Sequence, residues 1–210
     1  MYTPSHFQES RTEVLHELIR RHPLGALIAA TPDGVEACHA PFEIDAAGAP
    51  LGVLRCHLAR ANPLWRSLST AAETLVIFQG EDSYISPAWY AAKQQHGKVV
   101  PTWNYVVVHA YGKPRVVHDV EWLRRLVTAL TDRHEAGRPE PWRVTDAPAD
   151  YVDKMLQAIV GVEVEIVRMT GSWKLSQNRS AADRQGVARG LAASSSAADA
   201  AMAQLIERTS

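Results

Sequence analysis

Three apolar runs separated by short turns constrain the fold of this chain more than any other feature of its sequence. The runs cover residues 24–31, 35–44 and 51–59, and the turns between them are rich in Pro, Asp and Gly. A crossover between parallel strands needs about a dozen residues or more, which neither turn provides. The pattern therefore predicts an antiparallel meander of three strands.

The rest of the chain alternates between strand and helix patterns. Further strands are predicted over residues 74–79, 99–117 and 162–168, the second being either one long strand or a hairpin bent near Gly112. The predicted helices cover residues 11–22, 64–70, 119–133, 149–159 and the alanine-rich region from 180 onward, with an irregular loop over 84–98. Six or more antiparallel strands with a few helices indicate an α+β domain built on a small β-barrel.

Composition excludes several classes of protein. Lys and Arg number 22 and Asp and Glu 23, so the net charge of -1 lacks the basic excess of a protein that coats nucleic acid. Two cysteines are too few for a secreted disulfide scaffold. No run approaches the roughly 18 to 20 apolar residues of a membrane helix. We expect a cytoplasmic protein that does not enter membranes.

A first candidate site lies where the run 51–59 ends and the helix at 64–70 begins. His57, Arg60 and Asn62 stand there, beside backbone amides that a helix start leaves unpaired. An arginine and a histidine next to such amides suit a phosphate group. The alternative is that Arg60 is a surface residue and His57 an ordinary strand residue.

Three further segments combine aromatic and polar residues. Tyr84 and Ser86 lie in the first, Trp103 and Asn104 in the second, and Lys174, Ser176 and Gln177 in the third. Aromatic faces with a few hydrogen-bonding groups suit a flat heterocyclic ligand. The aromatic segments could equally fill the core or form a dimer contact, and the third segment could be a helix cap.

The sequence contains no pattern typical of a metal site or of a nucleophilic enzyme. If the turn at 45–50 centres near Ala47, Cys38 faces His57 and His39 faces Cys56, and these two pairs point to opposite faces of the sheet. We therefore expect no metal. The GxSxG, GxxxxGK[ST] and GxGxxG motifs do not occur. No catalytic residue can be named, so any redox chemistry would need a cofactor.

Six motifs, taken in order, resemble those of the PaiB family, described as FMN-binding negative transcriptional regulators. They extend from Met1 to Arg179 and so cover most of the chain. The motifs are MYTP with His6 and Phe7, HLARANP at 57–63, YISP at 84–87 with Trp89 and Tyr90, VPTWNY at 100–105, His109 with Tyr111 and Gly112, and KLSQNR at 174–179.

The resemblance implies a fold and a cofactor. The family is similar to the FMN-binding split barrel, a six-stranded barrel related to pyridoxamine-phosphate oxidases, which forms homodimers with the flavin between subunits. It implies a split-barrel domain with peripheral helices over residues 1–190 and an alanine-rich helical tail over 191–210. FMN is the expected cofactor.

The same resemblance assigns roles to the candidate residues. Arg60 would bind the FMN phosphate, with His57 and Asn62 beside it, although related oxidases have an Arg–Lys pair where this chain has a single basic residue. Tyr84 and Ser86 would approach the isoalloxazine or ribityl chain, and Trp103 or Asn104 would approach the opposite side. Three residues would contribute to the partner subunit's site: Lys174, Ser176 and Gln177.

Three functions remain compatible with this sequence. The first is a negative transcriptional regulator that acts directly on DNA, through a basic helix face carrying Arg179, Arg184 and Arg189, or indirectly. The second is a flavin-dependent oxidoreductase, such as an NAD(P)H:flavin reductase or a pyridoxamine-phosphate-oxidase-like enzyme. The third is a haem-binding split barrel with His57 or His109 as the axial ligand.

Overall fold

The computed structural model describes residues 1–31 and 34–209, and within these ranges the chain forms eight strands and seven α-helices. The strands are β1 Gln8–Glu9, β2 Leu24–Thr31, β3 Gly34–Pro41, β4 Glu43–Asp45, β5 Val53–Ala59, β6 Thr74–Ile85, β7 Thr102–Val117 and β8 Ile159–Lys174. The helices are α1 Thr12–Arg21, α2 Leu64–Leu68, α3 Ala92–His96, α4 Val120–Glu135, α5 Ala149–Gln157, α6 Ala181–Ala192 and α7 Ala197–Arg208. The turn predicted at Pro32 and Asp33 lies outside the described residues.

The strands form one sheet in the order β3-β2-β6-β7-β8-β5-β4, with β1 paired to β8. β2 pairs antiparallel with β3 and β6, and β5 pairs antiparallel with β4 and β8. The α+β class and the antiparallel pairing are thus confirmed. The sheet has eight strands, against the six that the resemblance implied.

The predicted three-stranded meander is wrong, because the run 35–44 is two strands. β3 ends at Pro41 and β4 begins at Glu43, and these strands lie at opposite ends of the sheet order. Between them Phe42 is fully buried, and its backbone N–H donates to the carbonyl of Pro23 at 2.8 Å. The β4–β5 ladder pairs Glu43 with Arg55, so the predicted facing of Cys38 and His57 across adjacent strands is also wrong.

Within the segment 99–117, residues Thr102–Val117 form one long strand, β7, and not a hairpin. Gly112 lies within this strand and lets the backbones of β7 and β8 come close together. A Cβ at this position would overlap the carbonyl oxygen of Glu165 on β8. The segment 84–98, predicted to be an irregular loop, contains the end of β6, a short 3-10 helix over Pro87–Trp89 and α3.

The chain divides into two compact units. The first, here called the terminal unit, contains residues 1–15, 79–108 and 170–210, and the second, the central unit, contains 16–78 and 109–169. In the central unit Phe42 and Phe78 pack edge to face, with ring centroids 5.5 Å apart. In the terminal unit the ring of Trp89 packs against Gly190 of α6.

The C-terminal helices α6 and α7 both lie in the terminal unit. The Asp199 carboxylate of α7 accepts a hydrogen bond from the Ser83 hydroxyl at 2.8 Å. The division into a domain over 1–190 and a tail over 191–210 stays a prediction. Within the described residues no helix is both long and apolar enough to cross a membrane.

Candidate functional site

In the terminal unit, two of the predicted aromatic residues meet at the surface. Tyr84 follows the strand alternation of β6, in which its neighbours Ser83 and Ile85 point inward. Its ring lies edge to face with the ring of Trp103 on β7, at a centroid distance of 6.1 Å and an interplanar angle of 72°. The two side chains are 47% and 53% exposed, so both rings can contact a ligand.

Lys174, at the end of β8, lies beside the same stretch of β7. Its Nζ donates a hydrogen bond to Thr102 Oγ1 at 2.7 Å and lies 5.8 Å from the ring centroid of Tyr105. Burial and the nearby Arg179 guanidinium lower the pKa of Lys174. The ammonium group is therefore held in place by a neutral hydroxyl, and an anionic ligand would stabilise its charge.

Asn104 and Ser176 form a buried polar pair below this surface. They are 1% and 3% exposed, and Asn104 Nδ2 donates to Ser176 Oγ at 3.0 Å. Ser176 has φ +65, and among the described residues it is the one non-glycine with a left-handed backbone. Such a conformation costs free energy and persists only where its surroundings fix it. The hydrogen bond from Asn104 helps to hold Ser176 in this conformation.

Gln177 and Ser86 hold their own segments in shape. Gln177 Oε1 accepts from the backbone N–H of Leu175 at 2.7 Å, and its Nε2 donates to the Trp173 carbonyl at 2.5 Å. Ser86 Oγ accepts from the backbone N–H of Ala88 at 3.2 Å and so caps the 3-10 helix. Both side chains therefore have local structural partners.

Two contacts that sequence reasoning did not predict also shape the terminal unit. The Arg179 guanidinium lies 4.9 Å from the ring centroid of the buried Tyr90. Asp183 is 6% exposed, and its Oδ1 accepts from the backbone N–H of Ala92 at 2.9 Å. The sequence carries no signal for Asp183, because an aspartate in the first turn of a helix is usually solvated.

The other predicted group, His57, Arg60 and Asn62, lies in the central unit. Arg60 Nε donates to the carbonyl of Gln157 at 2.7 Å and Nη2 donates to the carbonyl of Ile159 at 2.8 Å. Asn62 Oδ1 accepts from the backbone N–H of Leu64 at 3.0 Å, so one of the amides expected to face a phosphate is already paired. Arg60 thus ties the end of β5 to the start of β8.

His57 has a different environment from Arg60. It lies on β5, and across the described ranges 1–31 and 34–209 its buried Nδ1 has no hydrogen-bond partner. Burial lowers the pKa of His57, which favours the neutral ring. Its roles, and those of Arg60 and Asn62, toward a flavin phosphate stay predictions.

The thiols and the remaining candidate histidine have ordinary surroundings. Cys38 and Cys56 are free, and burial raises the pKa of both thiols. His109 lies beside Tyr111, whose hydroxyl is 3.5 Å from His109 Nδ1, and burial lowers the pKa of His109. Among the residues described, no cluster of three or more His, Cys, Asp or Glu side chains could hold a metal ion.

The donor set of the terminal unit fits a flavin. Two half-exposed aromatic rings offer apolar surface to a flat heterocycle, and the Lys174 ammonium offers a positive charge to its polar edge. The predicted cofactor-binding residues other than His57, Arg60 and Asn62 all lie in this unit: Tyr84, Ser86, Trp103, Asn104, Lys174, Ser176 and Gln177.

Comparisons with known proteins point to the same cofactor. A family model described as "Putative FMN-binding domain" matches residues 1–168. An uncharacterized protein of Emericella nidulans is 34% identical, covering 90% of each chain. Protease synthase and sporulation protein PAI 2 of Bacillus subtilis is 28% identical over 99% of this chain and 97% of its own. An FAD and heme binding protein of Mycobacterium smegmatis has a similar fold, with TM-score 0.62, 19% identity, and 87% and 80% of the two chains covered.

Proposed function

This chain belongs to the FMN-binding domain family with FMN as its cofactor, and we propose that it is a negative transcriptional regulator of the PaiB type that binds the flavin in its terminal unit. The observation that carries the flavin site is the exposed Tyr84–Trp103 pair beside the Lys174 ammonium. We also propose that the sheet is a split barrel of the flavin-binding type, which the fold similarity to the M. smegmatis protein supports.

The regulatory role is supported by the B. subtilis relative, whose name refers to protease synthesis and sporulation and which aligns over nearly its whole length. Direct DNA contact through α6 has less support. Arg179 lies over the Tyr90 ring and Arg184 Nε is buried, which leaves Arg189 as the exposed member of the expected basic face. We therefore propose that repression acts through a partner rather than through this helix.

Bound FMN supplies a two-electron acceptor and donor. The residues of this chain would position it: Tyr84 and Trp103 would shield the ring from water, and Lys174 would place a positive charge near its polar edge. The Lys174 ammonium would thereby stabilise negative charge on the bound group. The Asn104–Ser176 pair would hold the backbone that carries Lys174 in a fixed conformation.

A flavin-dependent oxidoreductase is the second candidate function. The half-exposed Tyr84 and Trp103 rings favour it, because a second substrate can reach a ring bound at the surface. NADH or NADPH added without oxygen should then bleach the flavin, whereas a regulator need not react. A shift of promoter DNA that weakens as salt rises would instead show direct DNA binding.

We also propose that the chain forms a homodimer through its central unit, because one face of the edge strand β3 and its neighbour β2 carries exposed apolar side chains. Residues directly paired in an antiparallel ladder share a face, so Ile28 and Leu75 lie on one side of β2 and β6. Leu24 and Val35 lie on the same side and are 63% and 77% exposed. Exposed apolar faces of this kind mark interaction surfaces. We propose a second copy of the chain as the occupant.

The deciding experiment compares flavin retention in two matched variants. The purified protein is incubated with FMN, gel-filtered and examined for flavin absorbance. Trp103→Ala should weaken FMN binding and change the quenching of flavin fluorescence, whereas Trp142→Ala, at the 47% exposed Trp142 of the central unit, should leave both unchanged. Equal behaviour of both variants would contradict the Tyr84–Trp103 site. Failure of the wild type to retain flavin, or a Soret band in its place, would reject FMN.

A further inference from the structure

The loop over residues 174–179, which follows β8 in the terminal unit, carries two positive charges without a carboxylate partner. Lys174 and Arg179 are both partly buried. Lys174 Nζ bonds to the hydroxyl of Thr102 at 2.7 Å, and the Arg179 guanidinium lies 4.9 Å from the ring centroid of Tyr90. Among the residues that the structure describes, no carboxylate forms an ion pair with either side chain.

The carboxylate nearest to this loop in the sequence has another partner. Asp183 is 6% exposed, and its Oδ1 accepts from the backbone N–H of Ala92 at 2.9 Å. Burial, and after it the positive charge of Arg179, lower the pKa of Lys174. The two cations of the loop therefore repel each other in a partly buried place, and a bound anion would relieve this repulsion.

The backbone of the loop adds two hydrogen-bond donors. The backbone N–H of Arg179 donates to the carbonyl of Ser176 at 2.9 Å and closes a turn over 176–179. The backbone N–H groups of Gln177 and Asn178, in the middle of this turn, have no partner within residues 1–31 and 34–209. Ser176 itself is left-handed, with φ +65. Successive N–H groups in turns that include a left-handed residue are typical of anion sites.

Neighbouring side chains hold the loop in this shape. Asn104 Nδ2 donates to Ser176 Oγ at 3.0 Å. The side-chain amide of Gln177 bonds to the backbone N–H of Leu175 and to the carbonyl of Trp173. The donors of the loop are therefore in place before a ligand arrives, which lowers the entropic cost of binding.

We propose that the 174–179 loop binds a phosphate monoester, held by the Lys174 and Arg179 side chains and by the two unpaired N–H groups of the turn. One ammonium and one guanidinium match the charge of a phosphate dianion, and an arginine can bind two of its oxygens at once. Lys174 keeps two N–H donors after its bond to Thr102. A neutral ligand would leave the repulsion between the two cations in place.

The phosphate could belong to the flavin or to a second ligand bound beside the flavin ring. The first source rests on the proposed function. It would move the flavin phosphate from Arg60 to the same unit as Tyr84 and Trp103. The second source would make the loop an anchor for a phosphorylated substrate or effector. Both sources share the phosphate group that the loop recognises.

The first arm of the test compares FMN with riboflavin, which lacks the phosphate, by fluorescence titration of the full-length protein in phosphate-free buffer. If the loop holds the flavin phosphate, FMN should bind at least about tenfold more tightly than riboflavin, and Arg179→Gln should lower this ratio by about tenfold. Arg179→Lys keeps the charge and should restore part of the ratio. Arg189→Gln, which removes the same charge from an exposed position on α6, is the matched control and should leave the ratio unchanged.

The second arm is calorimetric titration with inorganic phosphate, with and without excess FMN. Phosphate that binds only the flavin-free protein and competes with FMN would assign the loop to the flavin phosphate. Phosphate that also binds the FMN-saturated protein would assign it to a second ligand. In both cases Arg179→Gln should weaken phosphate binding by about tenfold and Arg189→Gln should not.

The proposal is overturned if the wild type binds no phosphate and has equal affinity for FMN and riboflavin. Equal effects of Arg179→Gln and Arg189→Gln would also overturn it, as would a loss of the FMN preference in Arg60→Ala but not in Arg179→Gln. If Arg179→Gln also loses riboflavin binding, Lys174→Gln repeats the comparison at the other end of the loop. Phosphate binding without any flavin binding would reject the flavin proposal and leave the phosphate site standing.

Discussion

Replacing Arg60 by alanine tests two roles of one side chain, and the structure allows both to be estimated. A guanidinium group has five N–H donors. Nε and Nη2 each donate one hydrogen bond to a backbone carbonyl, at 2.7 and 2.8 Å, and Nη1 lies 3.4 Å from His118 Nδ1. Two N–H groups therefore remain for a phosphate.

The first expected effect of Arg60→Ala is on stability. Each hydrogen bond to a carbonyl contributes about 0.5 to 1.5 kcal/mol, and solvent competes at this exposed residue, so we expect the free energy of unfolding to fall by about 1 kcal/mol in all. Urea denaturation measures this loss. Arg125→Ala, which removes the same charge from an exposed position on α4, should change it by less than about 0.5 kcal/mol.

The second expected effect is on FMN affinity. The family resemblance assigns the FMN phosphate to Arg60, which lies in the central unit and not in the terminal unit proposed for the flavin ring. If that assignment holds, loss of the charged donor should cost about 1 to 3 kcal/mol, a rise in the dissociation constant of roughly 5- to 150-fold. Fluorescence titration of FMN at constant ionic strength measures it, with Arg125→Ala as the control for net charge. An unchanged dissociation constant in a destabilised Arg60→Ala protein would restrict Arg60 to tying β5 to β8. A stability loss no larger than that of the control would refute the estimate made from its carbonyl contacts.

Three other changes test the packing and the titrating groups. Gly112→Ala should lower the free energy of unfolding by about 1 to 3 kcal/mol, because its Cβ would overlap β8, while Gly137→Ala, with open space around it, should have little effect in the same urea titration. Burial lowers the pKa of His57, so below pH 6.5 the His57 ring is protonated more readily in the unfolded chain than in the folded chain. The free energy of unfolding should therefore fall as pH drops below 6.5, and less steeply in His57→Phe. Cys56 is fully buried with a raised pKa, so a thiol reagent should label it only on unfolding, whereas the partly buried Cys38 should react slowly in the folded protein, and rapid native labelling of both would contradict the burial.

The helix starts could be predicted because their signals are local. Asp119 accepts a hydrogen bond from the backbone N–H of Trp122 at 2.6 Å, and Ser180 accepts one from that of Asp183 at 3.2 Å. Both bonds join residues three apart in the sequence. The residue types that make them are therefore visible in any short window of sequence.

The break between β3 and β4 could not be predicted in this way. Pro41 directly precedes Phe42 and is disfavoured inside a sheet, but a proline alone does not show where the chain goes after the break. Phe42 leaves the ladder because its ring is buried against Phe78 and its backbone N–H donates to the Pro23 carbonyl. Both partners are far from Phe42 in the sequence, so a local sequence pattern does not reveal these contacts. The exchange of strand neighbours follows from that burial, since β4 then pairs with β5 while β3 stays beside β2.

The candidate flavin site shows the same division between local and distant signals. The motifs predicted segments that the structure brings together in the terminal unit, but residue type alone does not distinguish a side chain that faces a ligand from one that holds the fold. Asn104 and Ser176 are 72 residues apart in sequence and bond to each other, and Lys174 bonds to Thr102 at the same separation. The side-chain amide of Gln177 is hydrogen-bonded to the backbone of its own segment. Of the predicted ring-contacting residues, Tyr84 and Trp103 keep about half of their surface exposed, so changes in flavin spectra should follow substitutions at these two positions more than at Asn104 or Gln177.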